Sequence, residues 1–426
     1  MNKTPKGNRL HIALFGRTNV GKSSLLNLIA GQDVAITSTL AGTTTDVVEK
    51  TMELLPIGPV VFLDTAGLDD HSALSELRLK KTAKIFDRTD VVLLVTEADI
   101  WTEYEEKVLS ECAILKIPLL VVINKIDLKS PSEAFIGKIK EKTPWFLSVS
   151  TTDGMGRDAF LDTLKRLLLE AVPDDVIRTP SLVGDLLPPK GIAVLVVPID
   201  LEAPKGRLIL PQVQTIRDAL DNGAAALVVK ERELSYILTR LKEPPQLVIC
   251  DSQAVLEVTT IVPRETPCTT FSILFARQKG DLSIAAAGAA AIETLKPGDK
   301  VLIAEACSHH PLQDDIGRVK IPRWLREYAG EGLQIDVTAG RDYPEDLGKY
   351  RLIIHCGACM LTRREMLHRI HKAQEQRVPI TNYGLAISFT QGVIKRTLAP
   401  FPIALRSYER RMEEIGKSFP NESGQS

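Results

Sequence analysis

The chain has 426 residues, of which 44 % are apolar, and its 53 Lys and Arg against 54 Asp and Glu leave a formal net charge of −1. That length predicts about three domains at roughly 150 residues each. So even a charge balance excludes a surface dominated by basic residues, and no nucleic-acid partner is expected. No apolar run reaches the ~18 residues of a membrane span, so no membrane partner is expected either. The basic start runs directly into a strand–loop motif and does not read as a secretory signal, which points to the cytoplasm. The six cysteines argue against a disulfide framework there. Cys112, Cys250 and Cys268 are scattered and read as small buried hydrophobes.

Residues 10–15, LHIALF, form an apolar strand that ends at Gly16. The next residues run Gly16, Arg17, Thr18, Asn19, Val20, Gly21, Lys22, Ser23 and Ser24, which fits GxxxxGK[ST]. Glycines let backbone N–H groups turn inward around phosphate oxygens, and the helix that follows adds a favourable dipole. Lys22 reaches the outer phosphates and Ser23 suits magnesium.

Three more motifs follow in the order a GTPase requires. A buried strand delivers Asp64-Thr65-Ala66-Gly67; Asp64 suits the second shell of magnesium and the Gly67 N–H suits the γ-phosphate. A second delivers Asn124-Lys125-Ile126-Asp127. The Asp127 carboxylate accepts from both N1–H and the 2-amino group of guanine, a donor pair adenine lacks, so a buried Asp127 is poorly matched to adenine. Ser148-Val149-Ser150 reads as the last guanine-contacting loop.

Residues 8–172 resemble the Era/TrmE branch of P-loop GTPases. The resemblance implies that Gly42-Thr43-Thr44-Thr45-Asp46 is the first switch, with Thr44 on magnesium. It also implies that Asn19 helps to bind potassium against the phosphates, where a monovalent cation takes the part of an arginine finger. Leu68 stands where many small GTPases place a water-orienting glutamine, so slow basal hydrolysis, raised by potassium, is expected. Lys22, Thr44, Asp64 and Gly67 are the expected catalytic set.

Residues 173–190 are rich in proline and acid and read as a linker. Strands near 191–197, 224–229 and 247–250 alternate with helices near 212–222 and 231–241, which predicts a small α/β domain. It carries no acid/base constellation, and an interaction or dimerisation role is expected.

Further on, one strand (301–306) ends at Cys307-Ser308-His309-His310 and another (350–354) ends at His355-Cys356-Gly357-Ala358-Cys359. Ligand-type side chains thus arrive at two carboxyl strand ends, the edge where open α/β sheets bind ligands. Cys307, Cys356, Cys359 and one histidine fit tetrahedral zinc; the same cysteines fit a cubane cluster with an exchangeable fourth position. The spacing leaves both open.

An Era/TrmE-type domain followed by these two cysteine motifs resembles the FeFe-hydrogenase maturation GTPases of the HydF family, over essentially the whole chain. The resemblance implies an α/β architecture with a P-loop GTPase domain (1–172), a dimerisation domain (180–262) and an iron–sulfur cluster domain (263–426). It implies GTP, Mg2+ and K+ at the first, and a 4Fe–4S cluster on Cys307, Cys356 and Cys359 at the last. It implies a homodimeric carrier that delivers a diiron precursor to the FeFe-hydrogenase apoprotein, with radical-SAM maturases supplying it. The fourth ligand stays open among Glu305, His309 and His355; residues two apart in an extended segment share a side, so Glu305, Cys307 and His309 can face one site. The alternative is a ribosome- or RNA-acting GTPase with a structural zinc.

Overall fold

A computed structural model describes residues 6–31, 48–65, 84–152, 156–173, 180–198, 208–306, 315–340 and 343–418. The chain divides into two compact units, Met1–Thr179 and Pro180–Ser426.

The first unit is built on six strands: β1 (Leu10–Phe15), β2 (Val48–Leu54), β3 (Gly58–Asp64), β4 (Val91–Glu97), β5 (Leu119–Asn124) and β6 (Phe146–Ser148). They lie in the order β2-β3-β1-β4-β5-β6. Only β2 runs antiparallel to its neighbour, β3. The central strands are apolar along their whole length because both sheet faces are covered. Ile12, Leu14, Phe62 and Leu93 pack to one side; Ala13, Phe15, Val61 and Leu63 pack to the other. Helix Glu103–Ile114 begins with a capping box between Thr102 and Glu105, which satisfies two backbone donors that the first turn leaves open.

The second unit holds two four-stranded sheets. One is made of β7 (Ile192–Val196), β8 (Ala225–Val229), β9 (Leu247–Cys250) and β10 (Cys268–Thr270). The other is made of β11 (Lys300–Ala304), β12 (Gln334–Thr338), β13 (Leu352–His355) and β14 (Ile380–Asn382). Their orders are β10-β9-β7-β8 and β12-β11-β13-β14, and all pairs are parallel. Counted along the chain, both read second–first–third–fourth. One apolar core spans the two sheets, running from Val194 and Ile249 through Phe275 to Ile303, Ile354 and Leu385.

The two halves meet through equivalent helices, Phe271–Lys279 after β10 and Tyr383–Thr390 after β14. Thr270 caps the first by accepting from Ile273 N, and Asn382 caps the second by accepting from Leu385 N. Asn382 Nδ2 donates to Ser272 O at 2.7 Å, and Gly384 N donates to Ser272 Oγ at 3.1 Å. A Cβ on Gly384 would stand 2.8 Å from Ser272 Cβ, so the crossing needs glycine. Strand β10 pairs with β9. The expected division between residues 262 and 263 therefore cuts inside the first of these sheets, whose last strand ends at Thr270; a three-residue strand has too little periodicity to be read from sequence.

Candidate functional site

The phosphate loop follows β1. Gly16 has φ 155, Asn19 φ 65 and Gly21 φ 96. A Cβ on Gly16 would lie 2.5 Å from Val95 O, so glycine is needed both for conformation and for the approach of β4. Lys22 Nζ folds over the loop and donates to Gly16 O and to Arg17 O at 3.0 Å. Arg17 is turned aside, its Nε held by the buried Glu105 at 2.8 Å. Ser23 Oγ lies 3.4 Å from Asp64 Oδ2, which joins two of the expected magnesium residues.

Asn124, at the end of β5, donates from Nδ2 to Val20 O at 2.8 Å and so ties β5 to the phosphate loop. Lys125, at φ 61, pairs with Glu97. Asp127 meets the last loop: Thr152 Oγ1 donates to its Oδ2 at 3.3 Å, and Ser150 Oγ lies 2.8 Å from Thr152 Oγ1. The Ser150 hydroxyl is the main cause that holds the Asp127 carboxyl below its ordinary pKa. Asp127 is exposed here, past the end of β5. Val149 is buried and its N–H donates to Ile123 O at 2.8 Å; Ser148 closes β6, and Ser24 lies in the first turn of helix Lys22–Ala30. Thr44, Gly67 and Leu68 lie outside the described residues.

The second site lies at the carboxyl ends of β11 and β13, where Ala304 pairs with His355. Cys356 N donates to Ala304 O at 2.9 Å. In return Ala306 N donates to Cys356 Sγ at 3.1 Å. Ala358 adopts φ 54 between Cys356 and Cys359, both half-buried. Glu305 is buried at 2 % exposure. Its Oε2 accepts from Arg318 Nη2 at 2.9 Å and Nε at 3.3 Å. Its Oε1 lies 3.5 Å from Tyr383 Oη. Burial first, then the charges of Cys356 and Glu305, push the Tyr383 phenol well above its ordinary pKa, so it stays protonated.

His355 faces away. It shares a side with Ile353 and is fully buried. Its Nδ1 is 2.9 Å from Cys356 O, which requires a proton there. Its Nε2 accepts from Arg369 Nη1 at 2.9 Å. Burial and the Arg369 charge lower its pKa to about 3. Both ring nitrogens are thus engaged, and the expectation of His355 as a metal ligand gives way to a neutral imidazole that braces β13 against helix Arg363–Glu375. Cys307 and His309 lie outside the described residues. Among the described residues, no group of three or more His, Cys, Asp and Glu stands together as a metal site. Also among them, no helix is long and apolar enough to cross a membrane. Cys112, Cys250 and Cys268 are all buried, as small apolar side chains would be.

Three family models match consecutive stretches. Residues 11–125 match a 50S ribosome-binding GTPase. Residues 182–280 match the hydrogen maturase F dimerization domain, and residues 283–400 match its tetramerization domain. The two maturase models together cover more than half of the chain. The chain belongs to the HydF family. The tRNA modification GTPase MnmE of Prochlorococcus marinus is similar to it, 36 % identical over 159 residues, which is 36 % of this chain and 34 % of that protein. GTPase Era of Lactobacillus delbrueckii subsp. bulgaricus is 37 % identical over 184 residues, covering 40 % of this chain and 58 % of that protein. The chain thus spans about a third of the MnmE length and just over half that of Era. A solved Era structure from Aquifex aeolicus, bound to GDP and AlF4−, is 22 % identical with a TM-score of 0.32, covering 54 % of this chain and 97 % of that one; at that score it carries no argument. This HydF-type chain carries a GTPase domain. Its third region matches a model named for tetramerization, which the sequence reading did not anticipate.

The sequence reading also missed Arg318 and Tyr383, which meet Glu305, and Ser272, which lies beside Gly357. Ser272 Oγ lies 3.9 Å from where a Cβ of Gly357 would stand. A signal was present: Pro267-Cys268-Thr269-Thr270-Phe271 and Pro379-Ile380-Thr381-Asn382-Tyr383 repeat one pattern of proline, short strand, cap and aromatic.

Proposed function

We propose that this HydF-type chain is a potassium-stimulated GTPase that holds a 4Fe–4S cluster through Cys307, Cys356 and Cys359. In this reading it carries a diiron precursor and passes it to the FeFe-hydrogenase apoprotein, with radical-SAM maturases as the suppliers. The observation that carries the cluster assignment is the Ala306 N–H on Cys356 Sγ. It gives one sulfur a backbone donor and puts the residue preceding Cys307 directly against it. The donor set, three thiolates and a buried carboxylate, suits iron–sulfur chemistry with one exchangeable position. Glu305 is the fourth ligand in this proposal: it adjoins Cys356, while both nitrogens of His355 are occupied. When bound, the cluster supplies an iron with one replaceable ligand. The strand ends would hold the sulfurs, with Tyr383 beside Glu305, while His355 and Arg369 brace β13.

At the nucleotide site Lys22, the loop N–H groups and Ser23 would bind the phosphates and magnesium, and Thr44, Asp64 and Gly67 would respond to the γ-phosphate. Asn124, Lys125, Asp127 and the 148–150 loop would select guanine. Asn19, held at positive φ in the loop, is the proposed potassium contact. Self-association through the dimerization and tetramerization regions is proposed from the matched domains. The open edge of β8, which exposes Val228, is one surface suited to it. Protein isolated without oxygen and analysed for metals tests the reading: iron and sulfide support it, whereas a colourless zinc protein favours the ribosome- or RNA-acting alternative.

A further inference from the structure

The strands β11 to β14 all run parallel, so their amino ends form one edge, opposite the edge that carries Cys356. A basic cavity of about 330 Å3 lies there, at the lower end for a small-molecule site. Arg351 lines it from just before β13, Arg377 from just before β14, and Arg411 and Glu414 from helix Pro402–Ser418. Three guanidiniums thus share the lining with one carboxylate. That carboxylate is engaged within its own helix: Glu414 Oε2 accepts from Arg411 Nη1 at 2.9 Å, and its Oε1 stands 3.5 Å from Arg410 Nε. Among the described residues, no acid pairs with Arg351 or Arg377.

Arg377 keeps its place against a conformational penalty. It closes helix Arg363–Glu375 in a Schellman turn, in which its N–H donates to Gln374 O at 2.9 Å and the Val378 N–H donates to Ala373 O at 2.8 Å. Its φ is 56, at the left-handed position that glycine usually fills in such turns, because a Cβ there crowds the backbone. Local strain of this kind collects where a side chain is put to use. A guanidinium fork matches phosphate oxygens two at a time. Ala291 and Ile415, both buried, give the same cavity an apolar side.

We propose that this cavity is an anion site that takes a small phosphate-bearing ligand on Arg351 and Arg377, with Arg411 as a third donor. The phosphate sits at the strand ends and any organic body lies against Ala291 and Ile415. The site belongs to the second unit and shares no residue with the nucleotide loop or with the cysteine motifs.

Full-length protein is first saturated with GDP and Mg2+, so that Lys22 and its loop do not report. It is then titrated against inorganic phosphate and, separately, phenyl phosphate, with binding read from the phosphorus-31 NMR linewidth. Both should bind the wild type. Tighter binding of phenyl phosphate assigns the site to a phosphate ester, and tighter binding of the free anion assigns it to inorganic phosphate. Arg377→Gly and Arg351→Met should each weaken binding at least about tenfold. Arg377→Gly also relieves the left-handed strain, so its thermal midpoint without phosphate should equal or exceed that of the wild type. Arg410→Met removes a neighbouring charge that does not line the cavity and should leave binding unchanged. A wild type that broadens neither signal overturns the proposal, as does unchanged affinity in both Arg377→Gly and Arg351→Met. An equal loss in Arg410→Met assigns the attraction to diffuse surface charge and overturns it too. So does a change of oligomeric state in Arg377→Gly with phosphate binding intact, which makes this face a protein interface instead.

Discussion

Replacing Gly317 by alanine adds one methyl group at the tightest point of the third-sheet site. A Cβ there falls far inside contact distance of Tyr383 Oη, 2.9 Å from Tyr383 Cζ and 2.8 Å from Glu305 Oε1. Gly317 is not among the glycines with positive φ, so the cost is steric and not conformational. Forcing a methyl into a filled site costs about 1–3 kcal/mol, and alanine returns up to about 1 kcal/mol of helical propensity in this turn. A net loss of about 1–2 kcal/mol is expected. Urea unfolding followed by far-UV circular dichroism should show a lower midpoint with an unchanged slope. Tyr383→Phe removes the nearest atom but leaves Cζ at 2.9 Å, so the double variant should recover only part of the loss. An alanine variant as stable as the wild type, or no recovery with phenylalanine, would refute the packing described around Glu305.

Asp127→Asn replaces a double acceptor with one acceptor and one donor, so GTP affinity should fall at least about 100-fold while xanthosine triphosphate becomes the better ligand in a competition assay. Asn19→Ala should remove the difference between hydrolysis rates in potassium and sodium while leaving the sodium rate unchanged; phosphate release in the two salts measures it. Gly384→Ala, with its Cβ 2.8 Å from Ser272 Cβ and 2.9 Å from Thr270 Oγ1, should destabilise the second unit by about 1–3 kcal/mol, read by thermal unfolding. The Ser132 hydroxyl, then its N–H and Lys129, hold the Asp99 carboxyl down to about 2. That folded value lies below the ordinary one, so its contribution to stability is present above pH 4 or so and fades as pH falls toward 2. Ser132→Ala should raise the pKa toward the ordinary carboxylate value in a carbon-13 NMR titration.

Much of the nucleotide site was legible because its chemistry is local. Strands buried on both faces read as unbroken apolar runs, and β1, β5 and β9 fall where those runs lie. The phosphate loop and the guanine motif are each contiguous in sequence, so their spacing marks the residues 16–24 and 124–127 as two motifs, but the bond from Asn124 to Val20 joins residues far apart in the chain. The third-sheet site is different. Arg318 and Tyr383 reach Glu305 from separate elements, and a contact between residues so far apart leaves no periodic trace. Strands β10 and β14 have three residues each, too few for a pattern. His355 looked like a ligand because it adjoins Cys356; strand alternation turns it to the opposite face, beneath Arg369.

The central claim is that Cys307, Cys356 and Cys359 share one metal group. Its most direct measurement is EPR of the reduced protein after oxygen-free reconstitution with iron and sulfide, comparing the wild type with a variant in which all three are serine. A cluster signal in the first and its absence in the second is the expected result; the same signal in both would contradict the account.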